Sequence, residues 1–342
     1  MFAPLTLTRP LGIGRRSADR AGLADRAGGP AVAWADVGWH RLSQVCLGLQ
    51  VVLFATSLVL YRVTAIEVRW SSDLAYFTLV GALLASWIAL IAVAGNSIPR
   101  RRVAEGVASV ILFLTLIQIT APMQYGALAL GRPFVDPWLD SADRWLGIDV
   151  AQLTAWTAQF PWLVSMLNVS YNSLALQLFV PLVVLPLAGD RRALWEYLWH
   201  LHVSLIGALI CLALWPTVYV FTYRHFDPLA AREMVEHCMT QLWALRAGRF
   251  HVVTMQDMQG LISFPSFHTA AALAVTWALR RQSRWIWIPI ALVNVGLVSA
   301  TVLLGLHYAT DLIGTAALLG ASLVMYRRWC EPQLVPSGPP ER

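Results

Sequence analysis

Charged side chains are scarce in this chain of 342 residues. Asp, Glu, Lys and Arg together make up 13% of it, whereas hydrophobic residues make up 58%. A soluble domain carries about a quarter charged residues, so this composition excludes a soluble fold. The hydrophobic residues occur in runs of roughly 20, which is the length that a helix needs to cross a bilayer. The sequence therefore predicts an all-α fold, a polytopic bundle of membrane-spanning helices.

Cysteine is also rare. The four cysteines are Cys46, Cys211, Cys238 and Cys330. Their spacing is unpaired and three lie in or beside hydrophobic runs, which indicates buried thiols and no disulfide or zinc framework. The net charge of +6 comes mostly from arginines that flank the hydrophobic runs. Because no clustered basic and aromatic surface accompanies them, we expect the lipid bilayer as a partner and do not expect nucleic acid.

The hydrophobic runs predict about eight spans with both termini on the cytoplasmic side. The runs start near Arg41, Leu74, Val103, Leu163, Glu196, Leu261, Trp285 and Thr310. Arginine clusters follow every second run, as they do at the cytoplasmic ends of membrane helices. These clusters lie at 100–102, 191–192, 280–284 and 327–328. We therefore expect a multi-pass protein of the plasma or inner membrane, with residues 1–36 and 329–342 as disordered tails.

Two short stretches place a histidine at the edge of a hydrophobic run. They are Ser263-Phe-Pro-Ser-Phe-His268 and Gly305-Leu-His307-Tyr-Ala-Thr-Asp311. An ionisable side chain in a membrane span is costly, which makes it a functional candidate by default. Asp311 follows His307 by four residues, so on one helix face the carboxylate can accept a hydrogen bond from the imidazole. The other ring nitrogen of His307 is then free to attack.

The first of these stretches predicts an anion cradle. Pro265 suits the first turn of a helix, where the N–H groups of Ser266, Phe267 and His268 can hold an anion. The alternation of basic ends puts His268 and His307 on the same, outer side. To reach one phosphate, their rings must lie within roughly 8 Å of each other. The helix that carries His268 must therefore begin close to Pro265.

Two segments between the hydrophobic runs are longer than ordinary connectors. Residues 126–162 contain Trp138 and Trp145, which are spaced to lie along the membrane surface on a short amphipathic helix. Residues 223–262 carry several arginines and lead directly into the first histidine stretch. We expect this second segment to close over the two histidines.

The two histidine stretches resemble the signature of the type 2 phosphatidic acid phosphatase superfamily, a Pro-Ser-x-His segment with a later His-x-x-x-Asp segment. Their Phe-Pro-Ser-Phe-His and Gly-Leu-His-Tyr-Ala-Thr-Asp forms are similar to the inositol phosphorylceramide synthase-like branch. The resemblance covers about residues 130–325. It implies a six-helix phosphatase-like or phosphotransferase-like core over 126–328, preceded by N-terminal transmembrane helices over 37–125.

The resemblance also implies a reaction and a role for each catalytic residue. His307 would form a phosphohistidine, Asp311 would orient it, and His268 would protonate the leaving oxygen. The implied protein is a membrane lipid phosphatase or phosphotransferase that acts on a lipid-linked phosphate ester or diester, with inositol-phospholipid headgroup transfer as one form. No metal and no other cofactor is implied.

The chain departs from the superfamily's pattern at two cationic positions. The first motif has a lysine before an Arg-Pro pair. Here the pair is Arg132-Pro133, and Tyr125 holds the position of the lysine. Ala300-Thr301 stands where a serine–arginine pair precedes the second histidine.

A bound phosphate still needs cationic donors. We expect them from Arg246 and Arg249, which precede the anion cradle in the chain, and from Arg132. Together with Ser266 and Phe267 of the cradle, they form the predicted phosphate-binding set.

Two other interpretations use the same residues. His268, His307 and Asp311 include the two histidines and the carboxylate of a facial metal-binding triad. A metal-binding membrane protein is therefore one alternative. The other is a transporter or scaffold without enzymatic activity, in which the same buried polar groups join helices.

Overall fold

The computed structural model describes residues 31–69, 97–254 and 258–330, together with scattered helical positions between 78 and 89. The regular elements of this part of the chain are helices and two strands of two residues each, which confirms the all-α class. In chain order the labelled helices are α1 (Ala31–Thr64), α2 (Ile98–Ala129), α3 (Asp136–Trp145), α4 (Val150–Thr157), α5 (Pro161–Asn172), α6 (Leu174–Gln177), α7 (Val180–Ala188), α8 (Arg191–Leu214), α9 (Val220–Arg224), α10 (Arg232–Arg246), α11 (Phe267–Leu279), α12 (Arg284–Leu303) and α13 (Ala309–Met325). A π-helical turn, Tyr326–Cys330, extends α13.

Five helices of the described part are long and apolar enough to cross a membrane: α1, α2, α8, α12 and α13 with its π turn. A sixth span results if α5–α6 and α7, bent by 52° at their junction, are taken together. Helix α11 has 13 residues, which makes it about 20 Å long and too short to cross a hydrocarbon core of about 30 Å alone. Of the eight predicted spans, the one near Leu74 lies largely outside the described residues, as do the two predicted tails.

Helix α8 is the centre of the bundle. In its most apolar stretch 61% of the residues are buried, whereas 28–33% are buried in the other four long spans. Its buried histidines have partners on or near this helix: the His200 Nδ1 atom lies 2.8 Å from the Ser322 hydroxyl, and the His202 Nδ1 atom 2.7 Å from the Leu198 carbonyl oxygen. The first contact joins α8 to α13 and the second lies within α8, so both buried rings have a hydrogen-bond partner, as buried polar side chains require.

The predicted arginine clusters meet at one end of the bundle. Arg102 at the start of α2 donates a hydrogen bond of 3.3 Å to the carbonyl oxygen of Leu187 at the end of α7. Arg280, directly after α11, pairs with Glu196 near the start of α8 at 3.6 Å. We call this the arginine end. The opposite end carries α3, α4 and the turn between α12 and α13, which we call the site end.

The segment from α9 to the start of α11, which the structure describes over 220–254 and 258–266, packs on the site end, and we call it the cover. The N–H of Leu229 donates to the Leu304 carbonyl oxygen after α12, and the Leu229 carbonyl oxygen accepts from Asn168 of α5, both at 2.9 Å. Strand β1 (Glu67–Val68), directly after α1, pairs in parallel with strand β2 (Val252–Val253) of the cover. The cover is thus fastened to three helices of the bundle or their ends.

Candidate active site

Helix α11 begins immediately before His268. Ser266 is its N-cap and accepts a hydrogen bond from the N–H of Thr269 at 3.3 Å. Pro265 therefore lies outside the helix, before the cap, and its predicted place in the first turn is wrong. The helix starts two residues from Pro265, close to the position that the phosphate geometry required. Because Phe267 and His268 are the first two helical residues, their N–H groups have no partner within the helix.

Gly305 ends α12 and turns the chain towards His307. Its φ is +78°, a left-handed conformation that glycine adopts without steric cost. Its N–H donates to the Val302 carbonyl oxygen at 2.9 Å, and the N–H of Leu306 donates to the Thr301 carbonyl oxygen at 3.2 Å. This pair of bonds is the Schellman motif of helix C-termini. The backbone conformation of this turn therefore favours glycine at position 305.

Replacing Gly305 by alanine is expected to destabilise the protein more than the same change at Gly147. Both glycines have a positive φ, +78° and +74°, which costs another residue about 1–2 kcal/mol. At Gly305 alone the new Cβ would also lie 2.6 Å from the Phe226 ring and 2.9 Å from the Thr154 hydroxyl oxygen, whereas no atom lies within 4 Å at Gly147. Thermal unfolding midpoints in detergent measure the difference. An equal decrease for both variants would contradict the packing argument.

His307 and Asp311 form a buried hydrogen-bonded pair. The His307 Nδ1 atom lies 3.0 Å from the Asp311 Oδ2 atom, and the two side chains are 2% and 0% exposed. The same oxygen accepts from the N–H of Tyr308 at 3.1 Å and lies 3.4 Å from the Ser263 hydroxyl. The pair forms across the start of α13, because Tyr308 is its N-cap. His307 therefore lies outside the helix, and the expected contact along one helix face is wrong. The predicted hydrogen bond between the two side chains is present.

The second nitrogen of His307 faces the anion cradle. Its Nε2 atom lies 3.4 Å from the Ser266 hydroxyl oxygen. His307 lies in the turn between α12 and α13, and burial there lowers its pKa to about 4. The imidazole is therefore neutral near pH 7. With Asp311 accepting from Nδ1, the lone pair is on Nε2, the atom directed at the cradle.

His268 stands beside His307 and stacks on a tyrosine of α5. The ring centroids of the two histidines lie 6.4 Å apart, within the expected limit of about 8 Å. The Tyr171 ring is stacked on His268 at 4.4 Å, and its hydroxyl lies 3.4 Å from the His268 Nδ1 atom. From the sequence we interpret Tyr171 as a polar residue that packs between helices rather than as a catalytic one. Its contact with His268 is a feature of the tertiary structure alone.

Two carboxylates of α3 hold the turn that follows His307. Asp143 accepts hydrogen bonds from the N–H groups of Ala309 and Thr310, at 2.9 and 2.8 Å, and thereby caps α13 from another helix. Asp136 accepts from the Tyr308 hydroxyl at 3.0 Å. Burial raises the pKa of Asp136 to about 6. Sequence reasoning missed both residues, because their partners are backbone groups and a tyrosine far along the chain.

The structure does not bring the three predicted arginines into contact with the histidines. The guanidinium of Arg246 lies 4.2 Å from the centre of the Phe134 ring and donates to the Leu128 carbonyl oxygen at 3.5 Å. Arg132 and Arg249 are exposed. The two uncharged residues of the predicted phosphate-binding set, Ser266 and Phe267, do lie beside the histidines.

Tyr125, at the position of the superfamily's lysine, supports the loop that leads to the cradle. Its hydroxyl donates to the Gln241 Oε1 atom at 2.6 Å and accepts from the N–H of Gln259 at 2.8 Å. Gln124 accepts from the N–H of Leu261 at 2.8 Å. Tyr125 therefore supplies no positive charge at this position. Its hydroxyl instead holds the backbone of the loop before Ser263.

Within the described ranges, no group of three or more His, Cys, Asp or Glu side chains is arranged to hold a metal ion. A family model described as the PAP2 superfamily matches residues 137–325. This range contains both histidine stretches and helices α4 to α13. No curated protein and no solved structure matches the chain.

Proposed function

Because this chain belongs to the PAP2 superfamily, a family of the phosphatase type, we propose that it cleaves a lipid-linked phosphate through a phosphohistidine at His307. The observation that carries this proposal is the arrangement of the two histidines. The Nδ1 atom of His307 is held by Asp311, its Nε2 atom faces Ser266 at 3.4 Å, and His268 lies 6.4 Å away between ring centres.

In the proposed first step, the Nε2 atom of His307 attacks phosphorus, and the bond from phosphorus to the leaving oxygen breaks. The anionic phosphate beside His268 favours the protonated form of its imidazole, and this imidazolium donates a proton to that oxygen as it leaves. Since Tyr171 faces the His268 Nδ1 atom, Nε2 is the nitrogen available for this transfer. The phosphorylated imidazole of His307 gains positive charge, which the Asp311 carboxylate stabilises.

In the proposed second step, the oxygen of water or of an alcohol attacks phosphorus, and the bond from phosphorus to His307 breaks. His268, now neutral, takes the proton of the attacking oxygen. Both displacements pass through a trigonal bipyramid whose oxygens meet the Ser266 hydroxyl and the N–H groups of Phe267 and His268. Donors at a helix N-terminus suit this anionic group.

The donors around the cradle favour a phosphodiester over a phosphomonoester. Tyr125 and Thr301 hold the positions of the superfamily's lysine and arginine, and Arg246 lies on Phe134. A phosphodiester carries one negative charge and a phosphomonoester up to two near neutral pH, so the diester needs fewer cations. We propose that the donor is a phospholipid with a headgroup, as in the inositol phosphorylceramide synthase-like branch. The exposed Arg132 and Arg249 then contribute positive charge that attracts the anionic donor lipid.

Labelled phospholipids test the substrate class. The reconstituted protein is incubated with phosphatidylinositol or with phosphatidic acid, each with and without ceramide or diacylglycerol as acceptor. We expect phosphorus to leave phosphatidylinositol faster than phosphatidic acid. Turnover of phosphatidic acid alone would support a simple phosphatase and contradict the preference for diesters.

Orthovanadate is expected to inhibit turnover and chelators to leave it unchanged. Vanadate adopts the trigonal bipyramid of the proposed displacement and binds where the phosphate reacts, whereas no metal takes part in the proposed mechanism. Initial rates with orthovanadate, EDTA and phenanthroline measure both effects. Inhibition by the chelators that iron or zinc reverses would support the metal-binding alternative instead.

Replacing Asp311 by asparagine is expected to slow turnover on the order of 10⁴-fold, the cost seen when asparagine replaces the carboxylate that orients a catalytic histidine. The amide preserves shape but cannot stabilise the charged His307 intermediate. Steady-state kinetics should place the loss in kcat. Asp149→Asn is the matched control, because Asp149 pairs with Arg224 at the same end and takes no proposed part in the reaction. Equal losses in both variants would indicate a general effect on folding.

A further inference from the structure

Helix α3 has two faces of opposite character. Its buried face consists of three carboxylates, Asp136, Asp140 and Asp143. Its outward face carries Trp138 and Trp145, which are 74% and 86% exposed. Large exposed tryptophans are unusual on a protein surface that contacts only water, whereas tryptophan is enriched where membrane and water meet.

Other exposed tryptophans form two groups, one at each end of the bundle. Trp156 and Trp162, at the end of α4 and the start of α5, are also exposed and lie at the site end. Trp285 and Trp329 are exposed at the arginine end. Helix α12 connects the two ends with 20 residues, a length of about 30 Å that equals the hydrocarbon thickness. The two groups of tryptophans are thus one membrane thickness apart.

The outward face of α3 offers little charge to an anionic lipid. Arg144, which follows Asp143 in the chain, pairs with Asp140 at 2.6 Å, and Arg224 pairs with the same carboxylate at 3.0 Å. Binding of this face to a membrane therefore depends on its indole rings. A zwitterionic lipid surface suffices for such binding.

We propose that the tryptophan face of α3 is seated in the headgroup–acyl boundary of the membrane at the site end, and that this contact positions the turn that carries His307. The connection runs through the opposite face of the same helix. Asp143 holds the N–H groups of Ala309 and Thr310, and Asp136 holds the Tyr308 hydroxyl. A helix of 10 residues cannot shift its outer face without moving these carboxylates.

The depth of the tryptophans is measured by fluorescence quenching in phosphatidylcholine vesicles. The protein is compared with Trp138→Phe/Trp145→Phe, which keeps aromatic rings in place and removes two of the 16 indoles. The difference in emission between the two proteins comes from Trp138 and Trp145. We expect this difference to be quenched most by lipids brominated near the headgroup end of the acyl chains. Quenching of that emission by aqueous acrylamide alone would overturn the proposal. Trp285→Phe serves as the control for the arginine end.

The connection to His307 is measured by hydrogen exchange of the peptide that contains Ala309 and Thr310. In vesicles, Trp138→Gln/Trp145→Gln is expected to accelerate exchange of these amides on the order of tenfold, the effect of a lost helix cap. Asp143→Ala should accelerate it to a similar extent, and Trp285→Gln/Trp329→Gln should leave it unchanged. Unchanged exchange in the Trp138→Gln/Trp145→Gln protein, or equal acceleration in the Trp285→Gln/Trp329→Gln control, would overturn the connection. Neither readout requires turnover, so this inference and the proposed chemistry can fail separately.

Discussion

Replacing His307 by alanine is expected to reduce turnover on the order of 10⁵–10⁶-fold, the scale seen when a covalent catalyst loses its nucleophile. Without the Nε2 atom, no covalent intermediate forms, and the remaining groups only bind the phosphate. The substitution removes a side chain that is 2% exposed, so the thermal unfolding midpoint must be measured beside the rate. Rates come from release of labelled headgroup in vesicles.

The matched control for His307 is His251→Ala. His251 is exposed, and its Nε2 atom lies 2.8 Å from the Gly248 carbonyl oxygen within the same loop. We expect its replacement to leave the rate unchanged. A His307→Ala protein that is folded and retains a substantial fraction of turnover would show that another group attacks phosphorus, and the assignment of the nucleophile would be wrong.

Replacing His268 by alanine is expected to cost about 10²–10⁴ in rate, the typical contribution of a general acid. The loss should depend on the substrate. An alkoxide leaves only when it is protonated, so its phosphate ester should suffer the full effect. A nitrophenolate leaves without a proton, so a nitrophenyl ester should recover most of the rate. The ratio of the two losses measures the role of His268 independently of its effect on binding.

Tyr171→Phe is the control for the acid. It keeps the stacked ring on His268 and removes only the hydroxyl that lies 3.4 Å from the Nδ1 atom. We expect a loss of at most about tenfold, because one long hydrogen bond to a neutral ring contributes roughly 1 kcal/mol. If His268→Ala slows good and poor leaving groups equally, the histidine does not act as the acid in the first step.

The sequence predicts the parts of this molecule that depend on composition and on local backbone chemistry. Scarcity of charge and long hydrophobic runs suffice for an all-α membrane bundle. The pairing of Pro-Ser-x-His with His-x-x-x-Asp identifies His268, His307 and Asp311, and the structure brings these three together. The start of α11 near Pro265 follows from the requirement that both histidines reach one phosphate. These inferences need only residue types, spacing and the length of a span.

The remaining features depend on distant contacts that leave no local pattern. Asp136 and Asp143 accept hydrogen bonds from residues more than 160 positions later in the chain. Tyr171 contacts His268, which lies 97 positions after it. The bend of 52° between α5–α6 and α7 likewise leaves no mark in the hydrophobic run near Leu163. Arg246 is predicted at the cradle from its sequence position, whereas the Phe134 ring, which sequence reasoning did not connect with it, holds its guanidinium.

The phosphohistidine intermediate is the central claim, and trapping it is the most direct test. The reconstituted protein is mixed with phospholipid labelled in its phosphorus, quenched in alkali to preserve a phosphohistidine, digested and analysed by mass spectrometry. We predict label on the peptide that contains Gly305 to Asp311, located at His307, and none on the same peptide of the His307→Ala protein. Turnover with no label on the protein, or with label on a different residue, would contradict the account.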